Sequence, residues 1–337
     1  MRPESASVIF RDDIAALVQE YMDTKAASKF IGRRAAPLFV HPLYAGEYPI
    51  FRRDAFKKRT EDARAADGRY NRIIAEFGRG TFSTADRGLE TFVDKRTQKR
   101  FLHLFDAEVA AAKPLVHQVL MGHEARVASL YASAPLTGHN VSAAWSNSST
   151  AVPLDDLQSG IDALSDACGC MPEDITLIIP RKDYQEMMRT AQVSDKCKYT
   201  YPGVVPSMLA PDEVSAMLRI KNVLVGNSAY DSKEEGIAES NTQFWTPGAI
   251  YLAVLANGPE DDLSVPSAAR TIVCGSLEDD LTLVDVDAVV DDFLVIESYV
   301  SAETRSTVLR VRAEYDQILQ VPDDPDCLIY KIVNASN

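Results

Sequence analysis

From Asp94 to about Ala132, apolar residues return at helical spacing: Phe101, Phe105, Val109, Val116, Leu120, Val127 and Leu130 stand three, four or seven positions apart. A continuous helix over this stretch would run roughly 55 to 60 Å at about 1.5 Å per residue, longer than a compact domain of this size needs. The opposite face carries Lys95, Arg96, Lys99 and Arg100. Pro114 lies inside the run, lacks an amide proton and is expected to bend the helix or divide it in two.

The segment before this helix is basic and shows no sustained helical period. Residues 48–93 hold Arg52, Arg53, Lys57, Lys58, Arg59, Arg64, Arg69, Arg72, Arg79 and Arg87, with aromatic residues thinly spread from Tyr48 to Phe92. This composition suits a long β-hairpin with its tip near ARAADGRYN. A lone two-stranded ribbon is marginal in water, so it needs something to lie on. Residues 1–47 open with a short amphipathic stretch (Ile14, Leu17, Val18, Tyr21), after which Pro37 and Pro42 favour extended backbone over helix.

Behind the helix, GHNVSAAWSNSSTAVPLDDL (138–157) reads as a serine-rich connection and a domain boundary. Alternation of helix and strand follows. LDDLQSGIDALSDACG puts Leu157, Ile161, Leu164 and Cys168 on one helical stripe, ITLIIP is an apolar strand, and RKDYQEMMRTAQ starts another helix. DEVSAMLRI reads as helix, NVLVGNSAY as strand and turn, and FWTPGAIYLAVLA as two strand segments about Pro247-Gly248. In TVLRVRAEYDQIL the alternation of Leu309, Val311, Ala313 and Tyr315 with Arg310, Arg312 and Glu314 is the period-two signature of a half-buried strand, and DCLIYKIV is a final strand.

With 337 residues, 46% of them hydrophobic, the chain can build two domains and a substantial core. It has no run of eighteen apolar residues, and MRPESASVIFRDD places acids where a signal peptide needs an apolar stretch, so synthesis and residence in a cytoplasm are expected. Five cysteines without framework spacing fit a reducing compartment. A net charge of -14 argues against a simple nucleic-acid binder. The two halves differ in sign: residues 1–130 carry 22 Lys and Arg against 17 Asp and Glu, whereas residues 131–337 carry 13 against 32. A basic part reaching for an acidic partner is one consequence, and the nearest acidic partner is another copy of the chain.

The chemical motifs fail on specifics. EFGRGTFSTADRG (76–88) has the glycines and charge of a phosphate loop, but neither G-x-x-x-x-G-K-[ST] nor G-x-G-x-x-G is present, and the stretch has strand character. Glycines in an extended hairpin, allowing close backbone approach or a bulge, explain it better. His123-Glu124 lacks the second histidine of a zinc-protease helix, because Val127 stands four positions on, and His123 is therefore read as a helix-surface histidine. Cys168-Gly-Cys170 could bind metal only with distant partners such as Cys197 and is read as two small buried thiols. No G-x-S-x-G elbow occurs, and the acidic runs near 260–262, 278–280 and 285–292 read as solvated strand ends. No catalytic, cofactor-binding or metal-ligating residue is assigned.

The order of parts, together with GLETFVDKRTQKRF (88–101), AAWSNSSTAVPLDDLQSGID, CMPEDITLIIPRKDYQEM, VSDKCKYTYPG, VLVGNSAYDSKEEG, FWTPGAIYLAVLA and ESYVSAETRSTVLRVRAEYDQILQVPDDPDCLIYKIV, resembles the major capsid proteins of tailed bacteriophages, whose shell fold also occurs in encapsulins. The resemblance spans nearly the whole chain and rests on order and spacing rather than on one diagnostic motif.

It implies an α+β, Hong-Kong-97-like phage major capsid fold. The expected parts are an N-terminal arm (1–47), an extended β-hairpin loop (48–93), a spine helix with the first part of a peripheral domain (94–150), an α/β apical domain (151–290) and C-terminal strands of the peripheral domain (291–337). The implied function is a non-enzymatic head protein that assembles as hexamers and pentamers into an icosahedral shell around double-stranded DNA. Its implied partners are other copies of itself, portal, scaffolding and decoration proteins, and packaged DNA held non-specifically. No membrane and no cofactor is implied, and the chain would reside in the virion after synthesis in the bacterial host cytoplasm. The ten basic residues from Arg52 to Arg87 become candidates for contacts between subunits. Because the sequence starts at Met1, no cleaved scaffolding segment is expected, so assembly would use a separate scaffolding protein or none. Lys57 and Lys58 are present in the hairpin, but no acceptor pattern assigns a crosslink. An encapsulin-type nanocompartment is the related alternative, and an α/β metal-assisted enzyme the alternative of another class.

Overall fold

A computed structural model describes residues 8–10, 14, 29–51, 68, 77–101, 106–200, 209–233, 236, 238–257, 263, 265–274, 289–290, 293–301 and 305–334. Its first elements are β1 (Val8–Phe10), helix α1 (Gly32–Ala35), β2 (Leu38–His41), β3 (Ala45–Phe51), β4 (Phe77–Ser83) and β5 (Ala85–Asp94). Then come α2 (Lys95–Phe101), α3 (Ala107–Ser133), β6 (Gly138–Asn140), α4 (Pro153–Cys168), β7 (Ile175–Pro180), α5 (Arg181–Met188), α6 (Ala191–Thr200) and α7 (Pro211–Leu218). The rest is strand: β8 (Asn222–Gly226), β9 (Ala229–Asp231), β10 (Asn241–Gln243), β11 (Ala249–Val254), β12 (Ala269–Cys274), β13 (Val289–Val290), β14 (Leu294–Ser301), β15 (Ser306–Leu319) and β16 (Ile329–Val333).

Two sheets carry the fold. The first joins β1, β2, β5, β12, β13, β14 and β15, with the long β15 pairing antiparallel to β14, β5 and β12. The second runs β6-β16-β11-β7-β8, parallel at its two ends and antiparallel about β11. Chain order and sheet membership cross over: β12 joins the sheet of β15, whereas the last strand, β16, lies beside β11. β7 and β12 are buried along their whole length; β7 is a mostly apolar strand covered on both faces, whereas β12 buries Arg270 and Thr271 among its apolar residues.

The long helix breaks elsewhere than at its proline. α2 ends at Phe101, and Asp106 starts α3 by accepting a hydrogen bond from the Glu108 amide (2.9 Å), while Pro114 sits within an undivided α3. Leu115 and Val116, just beyond the proline, are buried in the first core, so packing holds the helix across the one missing amide bond. The helix serves two cores. Ala112 to Leu120 pack on the seven-stranded sheet, and Val127, Ala128 and Tyr131 enter the core of helices α4–α7 and the five-stranded sheet.

Other expectations meet the structure with small shifts. α4 has Pro153 in its first turn, buries Leu157, Ile161 and Leu164, and stops at Gly169, whose φ of 74° only glycine adopts without cost. RKDYQEMMRTAQ forms two helices, α5 and the start of α6. The serine-rich connection is anchored rather than loose. Trp145 is buried, its amide donates to Asn334 Oδ1 (3.0 Å) and its Nε1 to Asp156 (3.1 Å). Cys168 and Cys170 are joined as a disulfide across Gly169, which corrects their reading as separate thiols, while Cys197, Cys274 and Cys327 are buried. Among the described residues no three His, Cys, Asp or Glu side chains gather as a metal site, and no helix is long and apolar enough to cross a membrane.

Candidate contact surfaces

The base of the hairpin is an antiparallel ribbon, β3 against β4, in register from Ala45 opposite Ser83 to Phe51 opposite Phe77. Tyr48 stands opposite Gly80, and its ring covers that glycine so closely that any Cβ there would collide with it. This close approach is what the glycines of GRG provide. Tyr48, Ile50 and Phe82 are buried against Leu263, Ile272 and Ile318, so the ribbon lies on its own chain at this end. The Tyr48 hydroxyl donates to the Leu319 carbonyl (3.0 Å), and burial, with the charges of Asp316 and Asp323, raises its pKa. Tyr48→Phe is expected to cost about 1 kcal/mol in urea unfolding, since it removes one buried hydrogen bond. An unchanged midpoint would show that the bond does not hold the ribbon down.

EFGRGTFSTADRG changes sheets at Thr84. Its first strand is β4, but residues 85–94 pair along β15 and belong to the seven-stranded sheet. Thr84 Oγ1 bonds the Tyr44 carbonyl and Glu314, each at 3.0 Å, and pins the crossing. Two of the ten predicted contact residues thereby separate. Arg79 is solvated on the ribbon, its side chain 79% exposed and 3.5 Å from Glu47, an ion pair worth little in water. Arg87 faces Ala313 in the sheet, with its guanidinium 5.5 Å from the Tyr315 ring. Arg52, Arg53, Lys57, Lys58, Arg59, Arg64, Arg69 and Arg72 lie outside the described residues, as do the hairpin tip apart from Gly68, the acidic runs at 260–262 and 278–280 and, of the N-terminal stretch, Leu17, Val18 and Tyr21.

The solvent face of the seven-stranded sheet carries a charged row that the sequence shows only as alternation. Arg310 lies opposite both Glu90 and Glu297. It reaches Glu90 at 3.2 Å and Glu297 at 3.7 Å, while Arg312 Nε donates to Glu297 at 2.6 Å. Burial works against the Arg310 charge, but the Glu90 bond and the charges of Glu297 and Glu90 outweigh it and raise the pKa. Next in register stand Tyr299, Val308 and Phe92, and Phe92 is 74% exposed. β5 has β15 as its strand neighbour among the described residues, so an apolar ring and an ion-pair row sit beside an open edge. Val40 in β2, and Leu43 and Tyr44 in the turn before β3, are also exposed.

His123 and Glu124 correct the surface reading: both are fully buried, at the seam between the two cores. Glu124 Oε1 accepts from Trp245 Nε1 (2.7 Å), Ser228 Oγ (3.0 Å) and the Ile31 amide (3.3 Å), and Oε2 from the Gly32 amide. A Cβ at position 32 would stand 2.6 Å from Oε2, so glycine is needed for this approach. One carboxylate thus ties the segment before β2, the long helix and the β8–β11 region together. Burial raises its pKa against the four donors, which favour the charged form. His123 is pushed down to about 3 by burial and by the Arg126 and Arg33 charges, with its ring 5.5 Å from Phe293 and 5.3 Å from Tyr315. A helical stripe cannot reveal this, because both faces of the helix are covered by segments remote in sequence.

No protein-family model and no curated protein matches the chain. Solved structures do. A phage-related protein from Bordetella bronchiseptica RB50 superposes with a TM-score of 0.66 at 16% identity, over 95% of this chain and 96% of its own. The capsid of cyanophage P-SCSP1u gives 0.58 at 10% identity (92% and 89%), and the mature capsid of bacteriophage PhiM1 gives 0.51 at 8% (90% and 87%). At such low identity the agreement speaks for architecture, and it extends over at least nine-tenths of this chain in each comparison. The chain has the Hong-Kong-97-like shell fold of tailed-phage major capsid proteins.

Proposed function

We propose that this protein is a major capsid protein, which assembles as hexamers and pentamers into a closed icosahedral shell around phage double-stranded DNA and resides in the virion. The observation that carries this reading is the near end-to-end likeness to two phage capsids. The edge of β5 that no strand among the described residues covers, with exposed Phe92, and the opposite charge of the two halves of the chain, support contacts between copies. In this reading the parts act as arm (1–47), extended loop (48–93), spine helix and first part of the peripheral domain (94–150), apical domain (151–290) and returning peripheral strands (291–337), with β12 and β16 exchanged between the two sheets. Portal, scaffolding and decoration proteins are its proposed partners, and its role is structural.

Electron microscopy and sedimentation of the expressed full-length protein test this. Megadalton particles are expected. A compact monomer or dimer under all assembly conditions would overturn the reading and bring forward an α/β enzyme, and particles holding a protein cargo without nucleic acid would replace it with a nanocompartment. Reversing Arg52, Arg53, Lys57 and Lys58 to glutamate is expected to block assembly while the subunit keeps its wild-type circular dichroism spectrum. Normal particles from that variant would remove the loop's charge from the account.

A further inference from the structure

Two arginines that the sequence keeps 39 positions apart meet at the edge of the first core. Arg126 extends from α3, and its Nη2 donates to the Tyr315 hydroxyl. Its guanidinium lies 5.2 Å from the Tyr315 ring, and that of Arg87, from β5, lies 5.5 Å from the same ring. Gly122, one turn earlier on α3, leaves room for the Arg126 head, since a Cβ there would already touch it at 3.4 Å. The two cations line a cleft of about 260 Å³ with Ser129, Ser133, Asp316 and Gln317.

This arrangement is uncompensated. Burial and the Arg87 charge together lower the Arg126 pKa to about 10. The Nε of each arginine is buried without a hydrogen-bond partner, and among the described residues neither guanidinium forms an ion pair. Asp316, on the cleft wall, is turned elsewhere: its oxygens accept the Ser83 amide (3.0 Å) and the Gln317 amide (2.9 Å). Two like charges with free donors, half-withdrawn from water, form a site that an anion would complete.

We propose that the Arg87–Arg126 cleft receives a carboxylate side chain from a second copy of this chain. The shell reading underlies this proposal. Arginine forks and serine hydroxyls donate to a carboxylate and a phosphate alike, but Asp316 on the cleft wall opposes a dianion more than a monoanion, which favours the carboxylate. The donor is abundant, since residues 131–337 carry 32 Asp and Glu against 13 Lys and Arg.

The test compares particle yield from the full-length wild type with that from Arg87→Gln and Arg87→Gln/Arg126→Gln, at matched protein concentration. Glutarate serves as the carboxylate probe and inorganic phosphate as its control, at equal ionic strength. The double variant is expected to lose about tenfold or more in yield, as charged hydrogen bonds of this kind imply. Glutarate should suppress wild-type assembly at lower concentration than phosphate, and the variants should lose that sensitivity. Arg87→Gln leaves the Arg126–Tyr315 bond in place and so decides the matter if the double variant does not fold. Undiminished particles from Arg87→Gln, with wild-type glutarate sensitivity, would overturn the cleft while leaving the shell reading intact. Absence of particles from the wild type would overturn the shell reading and the copy-to-copy role with it. Stronger suppression by phosphate than by glutarate would overturn the choice of a carboxylate.

Discussion

Glu124→Ala is expected to lower the unfolding free energy of the subunit by about 3 to 5 kcal/mol, the order that follows when several buried donors lose one shared acceptor. The indole N–H of Trp245, the Ser228 hydroxyl and the amides of Ile31 and Gly32 would all be left facing a cavity. Urea unfolding of the unassembled subunit measures the loss. Glu124→Gln should cost less, because its carbonyl oxygen at the Oε1 position can still serve Trp245, Ser228 and Ile31 while its amide group opposes the Gly32 amide. The effect should also be local in a telling way. Hydrogen exchange at Ile31 and Gly32 should quicken more than exchange within β7, since the first two rest on the carboxylate and β7 rests on its own ladder. A loss below about 1 kcal/mol for the alanine variant would show that other groups or water satisfy these donors.

The second large effect is a pH dependence set by His123. Its pKa stands at about 3 in the fold against 6.5 as the ordinary value, so the folded protein keeps the ring neutral where the unfolded chain takes up a proton. Stability from this residue is therefore fully present above pH 6.5 and is lost progressively as the pH falls towards 3. Between pH 7 and pH 5 the loss should be about 2 kcal/mol. Glu124 has the opposite sign, because its raised pKa makes the fold less stable as the pH rises from 4.5 towards the folded value. Comparison of wild type with His123→Gln isolates the histidine: the variant can still bond Thr271, which the ring meets at 3.3 Å, and its stability should fall less with acid. Parallel pH profiles for the two proteins would mean that His123 is not held neutral by burial and by the neighbouring Arg126 and Arg33.

Much of the element order is legible because the signals are local. ITLIIP is a strand from Ile175 to Pro180, the alternation around Val311 yields β15, and the change from strand to helix falls between Asp94 and Lys95. The helix interruption was also legible in principle, since Asp106 two residues before Glu108 is an ordinary capping signal, whereas Pro114 draws attention first. The contact surfaces are legible only in part. Residues 48–93 announce their charge, but nothing in their spacing tells that Arg79 stays on a solvated ribbon while Arg87 is drawn against Tyr315. Arg126 carries no sequence signal of its own, as one more polar residue on a long helix.

By itself the sequence determined where most of the described helices and strands lie and which half of the chain is basic, because period and charge are properties of neighbours along the backbone. Tertiary structure alone decided that His123 and Glu124 are buried, that Gly80 lies under Tyr48, and that Arg87 meets Arg126. These depend on register and packing between segments tens to hundreds of residues apart, and the cost of burying a charge or opposing two cations is set by what surrounds them in space.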